Sequence, residues 1–111
     1  DALTRARPPR ETRARAAAQA RTAAEAAAAR KRYLATLRGR EEELWRKVDD
    51  LIGNRQAATY KEAVDRLRDL RDLADGDGLL DSFSARIQQL RAAHGRTPAL
   101  IRRLDEAGLV G

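Results

Sequence analysis

The chain of 111 residues has no cysteine, no methionine, one histidine, three prolines and only four aromatic side chains, Trp45, Tyr33, Tyr60 and Phe83. Without cysteine there is no disulfide, no thiolate nucleophile and no cysteine-ligated zinc or iron–sulfur centre, and His94 alone cannot assemble a histidine metal site. No apolar run approaches the roughly 20 residues that cross a bilayer, and no basic segment precedes an apolar stretch of signal-peptide type. A cytoplasmic protein with no membrane partner is the expectation. Glycine-rich phosphate loops and Ser–His–Asp arrangements are also missing, and paired carboxylates such as Asp49 and Asp50 fall on a charged helix face. Apolar residues make up 42% of the chain, so the expected core is thin and built from Leu and Ala, with no deep cavity. These absences predict no enzymatic activity, no cofactor and no metal.

Arginine and alanine, by contrast, are abundant and unevenly placed. Residues 1–32 carry nine basic side chains against three acidic ones, a net +6, whereas residues 33–111 carry 14 of each and are neutral. Thirteen of the first 32 residues are alanine and Leu3 is their only large aliphatic side chain. Residues 1–9, which end in Pro8 and Pro9, read as a disordered basic tail. From about Arg10 onward, alanine with Arg, Glu and Gln gives a strong helix preference. Ala16, Ala20, Ala23, Ala27, Arg30, Leu34, Leu37, Glu41, Leu44, Val48 and Leu51 alternate steps of four and three. This spacing predicts one heptad seam on a single helix over 10–53, about 65 Å long, closed by Gly53 and Asn54, with Gly39 as a point of bending.

Three shorter helices are predicted over 59–109. Thr59 and Glu62 have the spacing of a capping box, and Tyr60, Ala63, Val64, Leu67, Leu70, Leu73 and Ala74 form one stripe behind it. Asp75-Gly76-Asp77-Gly78 ends that helix. Leu80, Phe83, Ile87, Leu90 and His94 form the next stripe, with Gly95 as the left-handed terminator. Thr97-Pro98 opens the last helix, whose Leu100, Ile101, Leu104 and Ala107 lead to Gly108 and a closing contact between Leu109 and Leu104. No segment sustains a period of two. The predicted fold is therefore all-α, a long N-terminal helix packed on a small antiparallel bundle of three shorter helices.

Two features invite a functional reading and yield to a simpler one. The run from Asp75 to Asp81 resembles a calcium loop, but positions five and twelve of that pattern fall on Leu79 and Arg86 where oxygen ligands are required. A helix-connecting turn accounts for it. His94, in a last helical turn, suits a cap that complements the helix dipole. Trp45 and Tyr33 lie beside the seam; Trp45 is the largest candidate core residue, and an interface anchor is the competing role.

Residues 60–109, with Tyr-Lys-Glu-Ala-Val at a helix start, Leu-Arg-Asp-Leu in its middle, a Phe-centred next helix and a closing Arg-Arg-Leu-Asp-Glu-Ala-Gly-Leu, resemble the C-terminal helical region of actinobacterial SWIM zinc-finger family proteins. The resemblance covers 50 of 111 residues and implies a tetratricopeptide-like stack of antiparallel helices. The zinc ligands of that family have no counterpart here. The resemblance further implies a metal-binding segment upstream in a longer protein, an expectation that fits a sequence starting at Asp1 without methionine.

Two functions follow from these residues. The first is a non-enzymatic protein–protein interaction or scaffold module, which engages a protein partner or a second copy through the seam residues Ala16, Ala20, Ala23 and Ala27. The alternative is nucleic-acid binding, with phosphate contacts from Arg10, Arg13, Arg21, Arg30, Lys31 and Arg32 and a steep dependence on salt.

Overall fold

The computed structural model describes residues 9–111, and the reading of residues 1–8 as a basic tail lies outside the described residues. The protein is all-α, with five helices: α1 (Arg10–Leu37), α2 (Glu41–Gly53), α3 (Ala57–Gly76), α4 (Leu80–Ala93) and α5 (Pro98–Glu106). The described residues contain no strand. Two compact units divide the chain, residues 1–36 and residues 37–111.

The expected single helix over 10–53 is two helices. Helix α1 ends at Leu37, about 42 Å from its start at 1.5 Å per residue. Gly39 then adopts φ +86°, a left-handed conformation that glycine enters without steric cost. Its N–H donates to Glu41 Oε1 at 3.0 Å, and Glu41, Glu42 and Glu43 fill the first turn of α2, where carboxylates complement the positive end of the helix dipole. The leucine register passes through this point unbroken, but a left-handed glycine followed by three glutamates is a stop and a start. Hydrophobic spacing carries no information about that.

In the unit formed by residues 37–111, α3 is the central element and packs against α2, α4 and α5. Its stripe of Tyr60, Ala63, Val64, Leu67, Leu70 and Leu73 is buried, and so are Leu44, Trp45, Val48, Leu51 and Ile52 of α2. Phe83, Ile87 and Leu90 of α4, then Leu100, Leu104 and Leu109, complete the core. Leu80, expected on the buried stripe of α4, is 40% exposed.

Local chain chemistry sets the helix ends. Gly78 and Gly108 both take positive φ, and the following N–H groups of Leu79 and Leu109 donate to Ala74 O and Leu104 O at 2.8 Å. These are Schellman ends, so the Asp75–Gly78 run is a helix terminus. At the carboxyl end of α5, Arg71 donates to Ala107 O at 3.3 Å and Arg91 to Leu109 O at 3.1 Å and to Asp105 at 2.6 Å. Two guanidinium groups from α3 and α4 thus satisfy carbonyls that no helix turn can.

Three expected caps differ. Helix α3 starts at Ala57, with Gln56 at its N-cap, and Thr59 sits three residues inside, its hydroxyl accepting from Gln56 N–H at 3.3 Å and donating to Gln56 O at 2.9 Å. The reciprocal bond is made from the inner position. Gly53 lies within α2, and the left-handed residue after it is Arg55, at φ +54°; a side chain there costs about 1–2 kcal/mol. Gly95 has no positive φ, because α4 closes at His94, whose N–H donates to Leu90 O at 3.1 Å.

Candidate functional site

Two surfaces qualify, one in each unit. In α1 every residue from Arg10 to Ala29 is exposed. At about 100° per residue, Ala16, Ala20, Ala23 and Ala27 fall within an arc of roughly 60°, so the helix aligns the predicted seam residues on one face without any charged side chain among them. The basic residues do not converge in the same way. Arg10, Arg21 and Arg32, spaced by 11 residues, share one row; Arg13 and Lys31 share another; Arg30 lies across the helix from the first row. The Arg30 guanidinium, half-buried, stands 5.8 Å from the centre of the Tyr33 ring. Tyr33 itself is 39% exposed.

The second surface was not foreseen from sequence. Trp45 is 7% exposed, so its role is in the core, and its ring lies 5.8 Å from that of Phe83, tilted by 40°. The Arg86 guanidinium also sits over the Trp45 ring, 4.4 Å from its centre. Arg86 reaches from α4 to α2 and donates to both carboxylate oxygens of Glu42, at 2.7 and 3.0 Å. Glu42 and Trp45 are three residues apart on α2, and Phe83 and Arg86 three apart on α4, so each helix presents a charge and an aromatic on one face. Each half is visible in the sequence. Their pairing across 44 residues depends on α3 holding α2 and α4 side by side.

Beside this cluster opens a cleft of about 220 Å³, walled by Trp45, Leu70, Leu73, Ala74 and Phe83. Glu41, Glu42, Asp77 and Arg86 supply its charges, and Leu79 lines it while 54% exposed. Among the described residues no group of three or more His, Asp or Glu is placed to hold a metal ion, and no helix is long and apolar enough to cross a membrane.

The paired hydrogen bonds from Arg86 hold the Glu42 carboxyl below the usual glutamate range and push Arg86 upward. A carboxylate whose folded pKa is lowered stabilises the fold above its unfolded value of about 4.3, and that contribution is lost as pH falls through the lowered folded value. Glu42→Gln is therefore expected to lower the denaturant midpoint slightly at neutral pH, and the difference from the parent should close below about pH 4. A difference that widens on acidification would show that Glu42 does not titrate in the folded protein as this pairing requires. No protein-family model, curated protein or solved structure matches this chain.

Proposed function

We propose that the protein is a non-enzymatic helical interaction module, cytoplasmic and belonging to a larger protein or assembly, which docks on a protein partner or a second copy through the alanine face of α1. The observation that carries this reading is the continuous exposure of Arg10–Ala29 on a helix whose one uncharged face is Ala16, Ala20, Ala23 and Ala27. Alanine lets a second helix approach closely, and burying four methyl-sized side chains contributes only a few kcal/mol at about 25 cal/mol/Å². An isolated alanine-rich helix is marginally stable in water, so association also supplies order. The resemblance of residues 60–109 to a helical region of SWIM zinc-finger proteins fits a scaffold role and brings no chemistry with it.

Nucleic-acid binding is the weaker reading. A phosphate-tracking surface gathers its cations on one side, whereas Arg10, Arg13, Arg21, Arg30, Lys31 and Arg32 spread over more than half of the helix circumference. Base-stacking aromatics are missing from Arg10–Arg32 as well.

Light scattering of the full chain at low and high salt, with and without random duplex DNA, separates the two. The expected result is a salt-insensitive increase of mass with concentration, abolished by Ala20→Glu with Ala23→Glu, while the melting of residues 37–111 followed through Trp45 stays unchanged. A mass shift seen only with duplex at low salt would replace the alanine face by the basic residues. Equal loss of association and of folding in the double variant would refute the division of labour between the two units.

A further inference from the structure

We propose that the cleft between α2, α3 and α4 docks a basic linear segment of a partner protein, with one large apolar side chain entering the cleft and flanking Lys or Arg side chains meeting the carboxylates at its rim. This surface is separate from the alanine face of α1, and neither proposal depends on the other.

Size and lining fix the first part. A volume of about 220 Å³ walled by Trp45, Leu73 and Phe83 suits a single Leu, Met or Phe side chain. At its mouth Leu79 is 54% exposed, and the next residue, Leu80, is 40% exposed. The Schellman end of α3 favours an apolar residue at position 79; nothing in the turn asks for a second at 80. Leu79 also occupies the N-cap of α4, with no side-chain cap bond, where Ser, Thr, Asp or Asn would serve the helix better.

Charge fixes the second part. Glu41, Glu42 and Asp77 line the cleft against Arg86 alone, and Arg86 is already committed to Glu42 and to the Trp45 ring. Arg38 approaches Asp77 from outside at 3.4 Å. Among the side chains that line the cleft, three are thus carboxylates and one is a cation. The negative excess sits in a chain whose net charge is +6, so it is a local feature and selects a cationic segment over an acidic one.

Trp45 is the only tryptophan, and its fluorescence reports occupancy of the cleft in the intact chain. The probe is a short synthetic peptide with one central Leu between pairs of Arg, paired with a control that has Glu in place of Arg. The basic peptide should shift Trp45 emission saturably, and the acidic control should bind at least about tenfold more weakly. Leu79→Lys, at a half-exposed position and with melting to be checked against the parent, should weaken the basic peptide by about tenfold or more, whereas Ala20→Glu with Ala23→Glu should leave its binding unchanged. No saturable shift at millimolar peptide, an equal response to the acidic control, or undiminished binding by Leu79→Lys would each overturn the proposal. Self-association abolished by Leu79→Lys would overturn it too, by giving the cleft to a second copy.

Discussion

Replacing Leu67 by Ala is expected to cost the unit of residues 37–111 about 3–4 kcal/mol and to lower its melting temperature by roughly 15 °C or more. Leu67 is completely buried at the middle of α3, and α3 is the helix against which α2, α4 and α5 all pack. The substitution removes a buried isobutyl group and leaves a cavity in the one element that its neighbours share. Collapse of that cavity would require α3 to shift toward one partner and away from another, so little of the cost is recovered. Urea denaturation followed through Trp45, which lies within the same unit, measures the change in midpoint, and an unchanged slope shows that the same surface is exposed. A loss under about 1 kcal/mol would mean that the core relaxes round the site and that α3 is not the central support. Leu79→Ala, at a half-exposed side chain, is the matched control, expected to cost less than about 1 kcal/mol.

Burial and helix class were legible because each stripe states its own face. Tyr60, Ala63, Val64, Leu67, Leu70 and Leu73 repeat at helical spacing, and all are buried; the end at Gly108, with Leu109 folded back on Leu104, came from a glycine and an apolar residue at fixed positions. Less legible were the boundaries, since several signals compete for each one. At Gly39 a heptad continued through a helix break, and the spacing of Leu34, Leu37, Leu44 and Val48 could not distinguish one helix from two. After Gly53 the left-handed conformation passed to Arg55, just beyond a helix end at which Leu51 and Ile52 are buried. Illegible altogether were the pairings between distant residues. Glu42 with Arg86 joins α2 and α4 across 44 residues, and no local pattern marks that.

Asp69 is the other residue that periodicity could not find, and it carries the second large prediction. It is 2% exposed on the flank of the apolar stripe of α3, with one carboxylate oxygen 3.1 Å from Arg66 Nε one turn earlier. The Arg66 Nε makes no hydrogen bond of good geometry, so the contact is an ion pair more than a directed bond. A helix buried on one side would place position 69 in water, whereas α2, α4 and α5 all pack against α3. Removing either partner is expected to destabilise, and unequally. Asp69→Ala should cost about 2 kcal/mol, because the Arg66 side chain is 25% exposed and its freed guanidinium can return to water. Arg66→Ala should cost about 3 kcal/mol, because the carboxylate it leaves is almost fully enclosed and loses a counter-charge that solvent cannot replace. A double-mutant cycle by urea denaturation should then give a coupling of at least about 1 kcal/mol. If Asp69→Ala proves the costlier of the two, the carboxylate is held chiefly by groups other than Arg66, and the ordering argued here from solvent access is wrong.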